Sequence, residues 1–513
     1  MLQARPSPGA DADKMAAQYE QPWLDRPAQV LLAAIVALGL VRVGLAASIG
    51  LTDDEAYYRL WALAPAWGYL DHPPMVGWMI AVGRWIAGDT PLGIRLCAVL
   101  TSLLGPLVLW RSAHILFGPV IARRAVWVVL AMPLMAVGGI IITPDTPSVL
   151  FWGLAAWALA ELCVSRNAVW WLAVGVFAGL GLLSKYTNLF VGAGILLWLV
   201  WGRGNLRWFR SWQFWAGGAI AAILALPVVL WNAQHEWASF AKQVGRAGRG
   251  QGWTLAYLAE LIGAFAGLAS PLIAVLAIAG LVRVVTTAAR ERDQAHILLV
   301  CGLIPLLVYF LVHALHSRVQ PNWLAPLYPA FAIYAAVAVA AVTGAWLRQV
   351  AVWAAPLGFL CSALLYAHAL NPLRISPYTK DPSAQMRGWP ELAAELDAMR
   401  RVYGACWIAT SSYATSGQLA FHLRGQAPVA QLDEPLRYLH LPALEAETRS
   451  CPALYVELER RHERGLLNAQ FANVAELGVR DRSYAGVPLA RYVVYLLAEP
   501  RPGNPGTDVR SLR

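Results

Sequence analysis

Residues 52–78, TDDEAYYRLWALAPAWGYLDHPPMVGW, gather Asp53, Asp54, Glu55, Asp71 and His72 in a chain otherwise poor in acids. The stretch follows directly on an apolar run of membrane length, 27–50. A carboxylate this close to a bilayer is costly unless it faces water or a partner, so by default it marks a site. Ionised, such a group can take a proton from a hydroxyl. A solvated acidic loop is the plain alternative. Against it, Tyr57, Tyr58, Trp61, Trp67, Tyr69 and Trp78 interleave the acids, as suits the interfacial belt where aromatic rings collect.

The elements that must position these groups follow from composition. The 513 residues are 58% hydrophobic and 14% charged, with mean hydropathy +0.51, whereas a soluble globular chain carries about 25% charged residues. That balance belongs to an integral membrane protein. The 24 Trp and 32 Pro agree, since Trp gathers at interfaces and Pro is tolerated in spanning helices. The formal charge of +10 forms no soluble basic patch of the kind that binds nucleic acid. Much of it is Arg at the ends of apolar segments, a mark of topology.

A spanning helix needs about 20 apolar residues. Eleven segments qualify, near 27–50, 91–113, 119–142, 146–164, 168–183, 187–202, 212–231, 268–285, 295–314, 322–343 and 350–370. Residues 73–88 are apolar as well, but short and interrupted by Arg84. They read as a helix lying along the membrane surface.

Orientation follows from the cations. With the N-terminus in the cytoplasm, the inner loops hold Arg111, Arg123, Arg124, Arg166, Arg203, Arg207, Arg210, Arg283, Arg290, Arg292 and Arg348 in short connectors. The outer loops hold Arg59, Arg84, Arg95, Lys185, Lys242, Arg246, Arg249 and Arg318 among acids, His and Trp. The inner set is the larger, as the positive-inside rule requires. Every chemically rich segment then falls on the outer face: DDEAYY, DHPP, TPDTPS (143–148), SKYTN (184–188), WNAQHEWASFAKQVGR (231–246) and HALHSRVQPNW (313–323).

Three regions result: a cytoplasmic tail over 1–26, a transmembrane part over 27–370, and a soluble domain over 371–513 on the outer side. The tail has no signal-peptide pattern, so the first span reads as an uncleaved anchor. In the soluble part, helices are expected at 389–401 and 412–423 and strands at 404–410, 453–459 and 491–499, a small α/β domain. Its last dozen residues, rich in Pro and Gly, read as disordered. Cys97, Cys163, Cys301 and Cys361 lie in apolar runs as packing residues. Cys406 and Cys451 are either free or paired, the latter if their compartment is oxidising.

The loop motifs DEAYY (54–58), YLDHPPMVGW (69–78), TPDTPS, SKYTN, WNAQHEWASF (231–240) and QPNWLAPLYPA (320–330), with GW (388–389) and LAFHLRGQAP (419–428), resemble bacterial members of glycosyltransferase family 39. These are the protein O-mannosyltransferase-like enzymes that include the lipid A aminoarabinose transferases. The resemblance implies the C-type glycosyltransferase fold and inverting transfer of a sugar from a polyprenyl-phosphate carrier, on the outer face of the bacterial inner membrane. The acceptor would be lipid A, lipopolysaccharide core, another glycan or a protein. The family's essential acid falls on Asp54, with Glu55 beside it, the second acid of that loop on Asp71 and the acid of the next outer loop on Asp145. The aminoarabinose transferases carry a lysine beside the paired prolines, where this chain has His72.

Such transfer needs a carboxylate to deprotonate the acceptor and face an oxocarbenium-like centre. Asp54 is the expected base, with Asp71 in a positioning or metal role. It also needs positive charge or a metal on the departing phosphate. Lys185 leads the candidates, followed by Arg318, His235 and Arg246. Lys185 reads equally as a snorkelling anchor, and Arg246 and Arg249 as ligands of anionic headgroups. A divalent metal is left open: Asp71, His72, His235 and Glu236 offer ligands, but their spacing matches no compact motif. No P-loop or GxGxxG precedes a helix, which argues against soluble nucleotides. A transporter of lipid-linked sugar is the competing reading. It calls for midplane charges and repeated halves, whereas the charges here gather at helix ends.

Overall fold

The computed structural model describes residues 26–248, 252–373, 381–501 and 509–512. The tail assigned to 1–26 thus lies outside the described residues, apart from Arg26. Among the described residues, those up to 370 are mainly helical, and those from 381 onward form a small α/β unit that caps one face of the helices.

Among the described residues, eight helices are long and apolar enough to cross a membrane: Arg26–Ser48, Pro91–Phe117, Asp145–Ser165, Trp212–Gln234, Pro271–Glu291, Gln294–His313, Pro321–Ala340 and Ala345–Leu370. Each coincides with an expected span. The other three expected spans are shorter helices. The segment expected as continuous over 119–142 breaks into Pro119–Ala131 and Pro133–Val137, because Pro133 disfavours the helical conformation at Met132 and withholds an N–H. Trp170–Leu182 and Leu189–Trp201 have 13 residues apiece, separated by the polar turn Ser184–Lys185. Met75–Ala87 is the expected short helix. Ala256–Ala269 is a further short apolar helix, overlooked because Glu260 interrupts its run.

The cap is a five-stranded sheet in the order β2-β1-β3-β5-β4. Here β1 is Trp407–Thr410, β2 Val429–Gln431, β3 Ala453–Leu458, β4 Phe471–Tyr484 and β5 Val487–Pro500. The first three pair in parallel, and β3–β5 and β5–β4 are antiparallel. The helices Trp389–Val402 and Tyr413–His422 stand where the pattern places them. Strand β4 was not legible, since its face alternates weakly and its hairpin turns on Ala485 and Gly486, both at positive φ. Residues 509–512 correct the expectation of a disordered end: Ser511 and Arg510 form bridges to Ala430 and Ala443, with Val509 and Leu512 buried. Cys406 and Cys451 are joined by a disulfide. Cys97, Cys163, Cys301 and Cys361 are free thiols.

What positions the site is the shared core between cap and membrane part. Helix Asp53–Leu63 contributes Tyr57, Leu60 and Trp61, and the cap contributes Trp389, Leu419 and Tyr438 to one buried cluster. The Trp61 and Tyr69 rings stack at 4.2 Å. Backbone also meets backbone at Gly417, where an added Cβ would lie 2.7 Å from atoms of Ala56 and Tyr57. Only glycine permits that approach.

Candidate functional site

Helix Asp53–Leu63 starts sharply because Thr52 and Glu55 cap one another. The Thr52 Oγ1 accepts from Glu55 N at 3.2 Å, and Glu55 Oε2 accepts from Thr52 N at 3.0 Å. Glu55 also receives Arg95 through Nε at 2.7 Å and Nη2 at 2.6 Å, and the backbone N–H of Ile142 at 3.0 Å. The remaining Arg95 donors go to carbonyls of Ala46, Ile49 and Gly50. Both side chains are fully enclosed. Glu55 is therefore a lock between three segments. Glu55 stands beside Asp54 as expected, with its own carboxylate enclosed and paired to Arg95.

One residue earlier, about 100° around the helix, Asp54 is exposed. Protein nonetheless crowds its carboxylate on most sides. Burial pushes its pKa up to about 6; the charges of Asp53, Glu55 and Asp71 add to the rise, and a hydrogen bond from Tyr413 opposes it. Asp53 turns to the cap instead, receiving Gln418 Nε2 at 3.0 Å, while its N–H donates to Gln385 Oε1 at 3.1 Å.

Asp71 is brought to the same ring system. Burial, the largest influence, raises the pKa of the enclosed Tyr58 hydroxyl, and the charges of Asp54, Asp71 and Asp145 all reinforce it. His72 meets that ring edge-on at 6.3 Å. Asp71 itself is saturated: it receives Tyr57 Oη at 2.8 Å, Lys242 Nζ at 2.8 Å, and the guanidinium of Arg437 from the cap. Burial alone would raise its pKa, but Arg437 and Lys242 outweigh it and hold it below the usual value.

Asp145 opens helix Asp145–Ser165 and accepts Lys185 Nζ at 2.6 Å and Asn322 Nδ2 at 2.6 Å. Lys185 and Asp145 are both buried, so this lysine ties three elements together. The snorkelling reading is corrected, since the ammonium points at a carboxylate inside the protein. Beside this knot lies an apolar cavity of about 310 Å³. It runs along Pro91–Phe117 and Asp145–Ser165 from Leu116 at one end to Thr143, Asp145 and Asn322 at the other. Its length therefore follows the helices from the cap side inward.

Two other expected phosphate ligands have partners of their own. The His235 ring stacks on Trp231 at 4.2 Å, with Nδ1 2.7 Å from the Trp231 carbonyl. Arg318 is exposed and pairs with Glu260 at the surface. The Arg246 side chain lies outside the described residues. Among the described residues, no three of His, Cys, Asp or Glu converge in a metal-holding group. Asp71, a metal candidate by sequence, spends its oxygens on cations. Conversely, the sequence reading missed Lys242 and Arg437 as groups of this site. Lys242 carried a faint signal, lying with Gln243 in the strongly amphipathic helix Ala238–Gly248 that follows the WNAQHEW motif. Arg437 carried none, being 366 residues from Asp71.

The comparisons agree with this architecture. The family described as dolichyl-phosphate-mannose-protein mannosyltransferase matches residues 71–231. The chain is 27% identical over 287 residues to the lipid A galacturonosyltransferase RgtD of Rhizobium johnstonii, covering 55% of this chain and 59% of that protein. It is 30% identical over 175 residues to the undecaprenyl phosphate-alpha-4-amino-4-deoxy-L-arabinose arabinosyl transferase of Edwardsiella ictaluri, 33% of this chain and 31% of that one. The chain thus spans about three fifths of the first relative and about a third of the second. In structure it resembles ArnT from Cupriavidus metallidurans, crystallised with undecaprenyl phosphate, with TM-score 0.63 and 17% identity over 91% of this chain and 99% of that one. The fold is that of the C-type glycosyltransferases, in a multi-pass membrane protein.

Proposed function

We propose that this membrane protein of C-type glycosyltransferase fold, similar to the mannosyltransferase-like family, transfers a sugar with inversion from a polyprenyl-phosphate carrier to an acceptor hydroxyl. The acceptor is an envelope lipid or glycan, and the reaction runs on the outer face of the bacterial inner membrane. The observation that carries this reading is the contrast between Asp54 and its neighbours. Glu55 and Asp71 are paired with cations, while Asp54 alone of the three is exposed and, among the described residues, has no ion pair, with a pKa of about 6. A base must be free of a neutralising cation, reachable and poised near the working pH.

In the proposed step Asp54 accepts the proton of the acceptor hydroxyl. The freed oxygen bonds to the anomeric carbon from the face opposite the phosphate, the carbon–oxygen bond to phosphate breaks, and polyprenyl phosphate departs. The apolar cavity ending at Asp145 and Asn322 offers a dry slot for part of an isoprenoid tail. Lys185 serves by holding Asp145 at its mouth. The Cys406–Cys451 disulfide supports an oxidising location for the cap.

Mass spectrometry of envelope lipids and glycans from wild-type and deletion strains tests the reading. One sugar modification should vanish on deletion and return with the wild-type gene. Identical profiles in both strains, together with no sugar transfer from polyprenyl-phosphate sugars by the purified protein, would contradict it.

A further inference from the structure

The cap lays one of its helices against the acids that open helix Asp53–Leu63. Helix Tyr413–His422 packs there with Gly417 seated on Ala56 and Tyr57. Its Gln418 Nε2 donates to Asp53 Oδ1 at 3.0 Å. Its first residue, Tyr413, stands 5.2 Å from the Tyr57 ring and 5.4 Å from the Arg437 guanidinium, and its hydroxyl reaches the Asp54 carboxylate. Burial, with the charges of Asp54 and Asp53 adding to it, pushes the pKa of that hydroxyl up to about 12. Tyr413 therefore keeps its proton and acts as a donor. Around Asp54, the charges of Asp53 and Glu55 on its own helix and of Asp71 from the following loop all favour protonation, whereas the Tyr413 hydrogen bond favours the ionised form.

A second buried acid fixes the place of Tyr413. Glu457, on β3, is fully enclosed. Its Oε2 accepts from Ser412 N at 2.8 Å and Ser411 N at 3.2 Å, and its Oε1 from Ser412 Oγ and Thr415 Oγ1, each at 2.9 Å. Leu458 N donates to Oε1 at 2.9 Å as well. Apart from Leu458, these donors belong to the turn that carries Tyr413. A buried carboxylate is costly unless it is hydrogen-bonded, so Glu457 holds that turn in one conformation.

We propose that Tyr413 is a positioning residue for the base, its hydroxyl holding one oxygen of the Asp54 carboxylate so that the other meets the acceptor hydroxyl, and that Glu457 sets Tyr413 through the turn 411–415. The cap then takes part in the chemistry as well as covering the site. The inference rests on the role proposed for Asp54.

The test follows the protonation of Asp54 by pH-difference infrared spectroscopy of the full-length protein in nanodiscs, with Asp54→Asn assigning its carboxyl band. Sugar transfer and thermal unfolding are measured on the same samples. In wild type the band should grow as pH falls through about 6. In Tyr413→Phe, which keeps the ring against Tyr57, that midpoint should rise by about one pH unit, the scale of one hydrogen bond to a charged group. The acid limb of transfer should move with it, and kcat above the limb should fall roughly ten-fold with KM and Tm near wild type. Glu457→Gln should move the midpoint the same way by less, with a lower Tm. A midpoint that Tyr413→Phe leaves in place overturns the proposal whatever the rate does, because packing alone does not set the proton affinity of Asp54. Should Tyr413→Phe fail to fold, the midpoint in Glu457→Gln decides in the same way. If the band moves while the acid limb of transfer does not follow it, Asp54 is not the base, and the positioning role falls with that reading.

Discussion

At the scale of residues, the site is decided by which of several adjacent acids is left without a cation. Glu55 is locked by Arg95 and Asp71 by Arg437 and Lys242, while Asp53 is bonded to the cap. Removing one partner of a fully buried ion pair leaves an uncompensated charge and costs about 3–5 kcal/mol. Arg95→Ala is therefore expected to lower the melting temperature sharply or prevent folding, measured by thermal unfolding of the purified protein. Asp53→Asn should fold and transfer sugar nearly as wild type. A second prediction concerns pH. A base must be deprotonated, and the carboxyl of Asp54 in the folded chain titrates at about 6. The rate should accordingly be flat above roughly pH 7 and fall as pH drops through 6; a profile flat down to pH 4.5 assigns the proton elsewhere. The residue types alone pointed to this cluster of acids, and only the family resemblance put Asp54 first among them. Asp54 and Glu55 are neighbours, and the difference between them is made by Arg95, 40 residues from Glu55.

At the scale of elements, the site is held by helix Asp53–Leu63 pressed between the membrane part and the cap. The contact at Gly417 has no room for a side chain, since the nearest atoms to an added Cβ are backbone. Gly417→Ala must shift one helix against the other, and overpacking of this kind costs about 1–3 kcal/mol. Its expected effect is a lower Tm and slowed transfer, while Gly263→Ala, where an added Cβ meets nothing within 4 Å, leaves both unchanged. Equal behaviour of the two variants counts against a rigid cap contact. The long apolar helices were legible because hydropathy reports them directly. The break at Pro133 was not, because an apolar run gives no measure of where a helix stops within it. The hairpin of β4 and β5 escaped for a related reason. Its edge strand is largely exposed and follows no strict alternation, and its turn uses Ala485 rather than the Asn or Asp expected at positive φ.

At the scale of the whole molecule, the motifs scattered from residue 52 to residue 330 meet on the face that the cap covers. Asp145 joins Lys185 and Asn322, Tyr186 meets Ser239, and Gln243 reaches Asp71. The sequence placed those segments on one side by counting spans. It assigned the cap no acid or base of consequence, because a contact across 366 residues leaves no spacing to read. If the orientation is right, cysteines introduced near residues 242 and 450 react with an impermeant reagent from outside intact spheroplasts. Those near 205 and 288 should react only after lysis. Labelling of residue 450 from the cytoplasmic side alone overturns the placement of the reaction.

The most direct measurement is sugar transfer by purified Asp54→Asn beside wild type, with binding of undecaprenyl phosphate and thermal unfolding recorded on the same samples. The substitution keeps the shape of the side chain and removes the proton acceptor. Transfer is predicted to fall by about a hundred-fold or more, with Tm and carrier binding close to wild type. An Asp54→Asn protein that still transfers sugar at a rate near wild type contradicts the account.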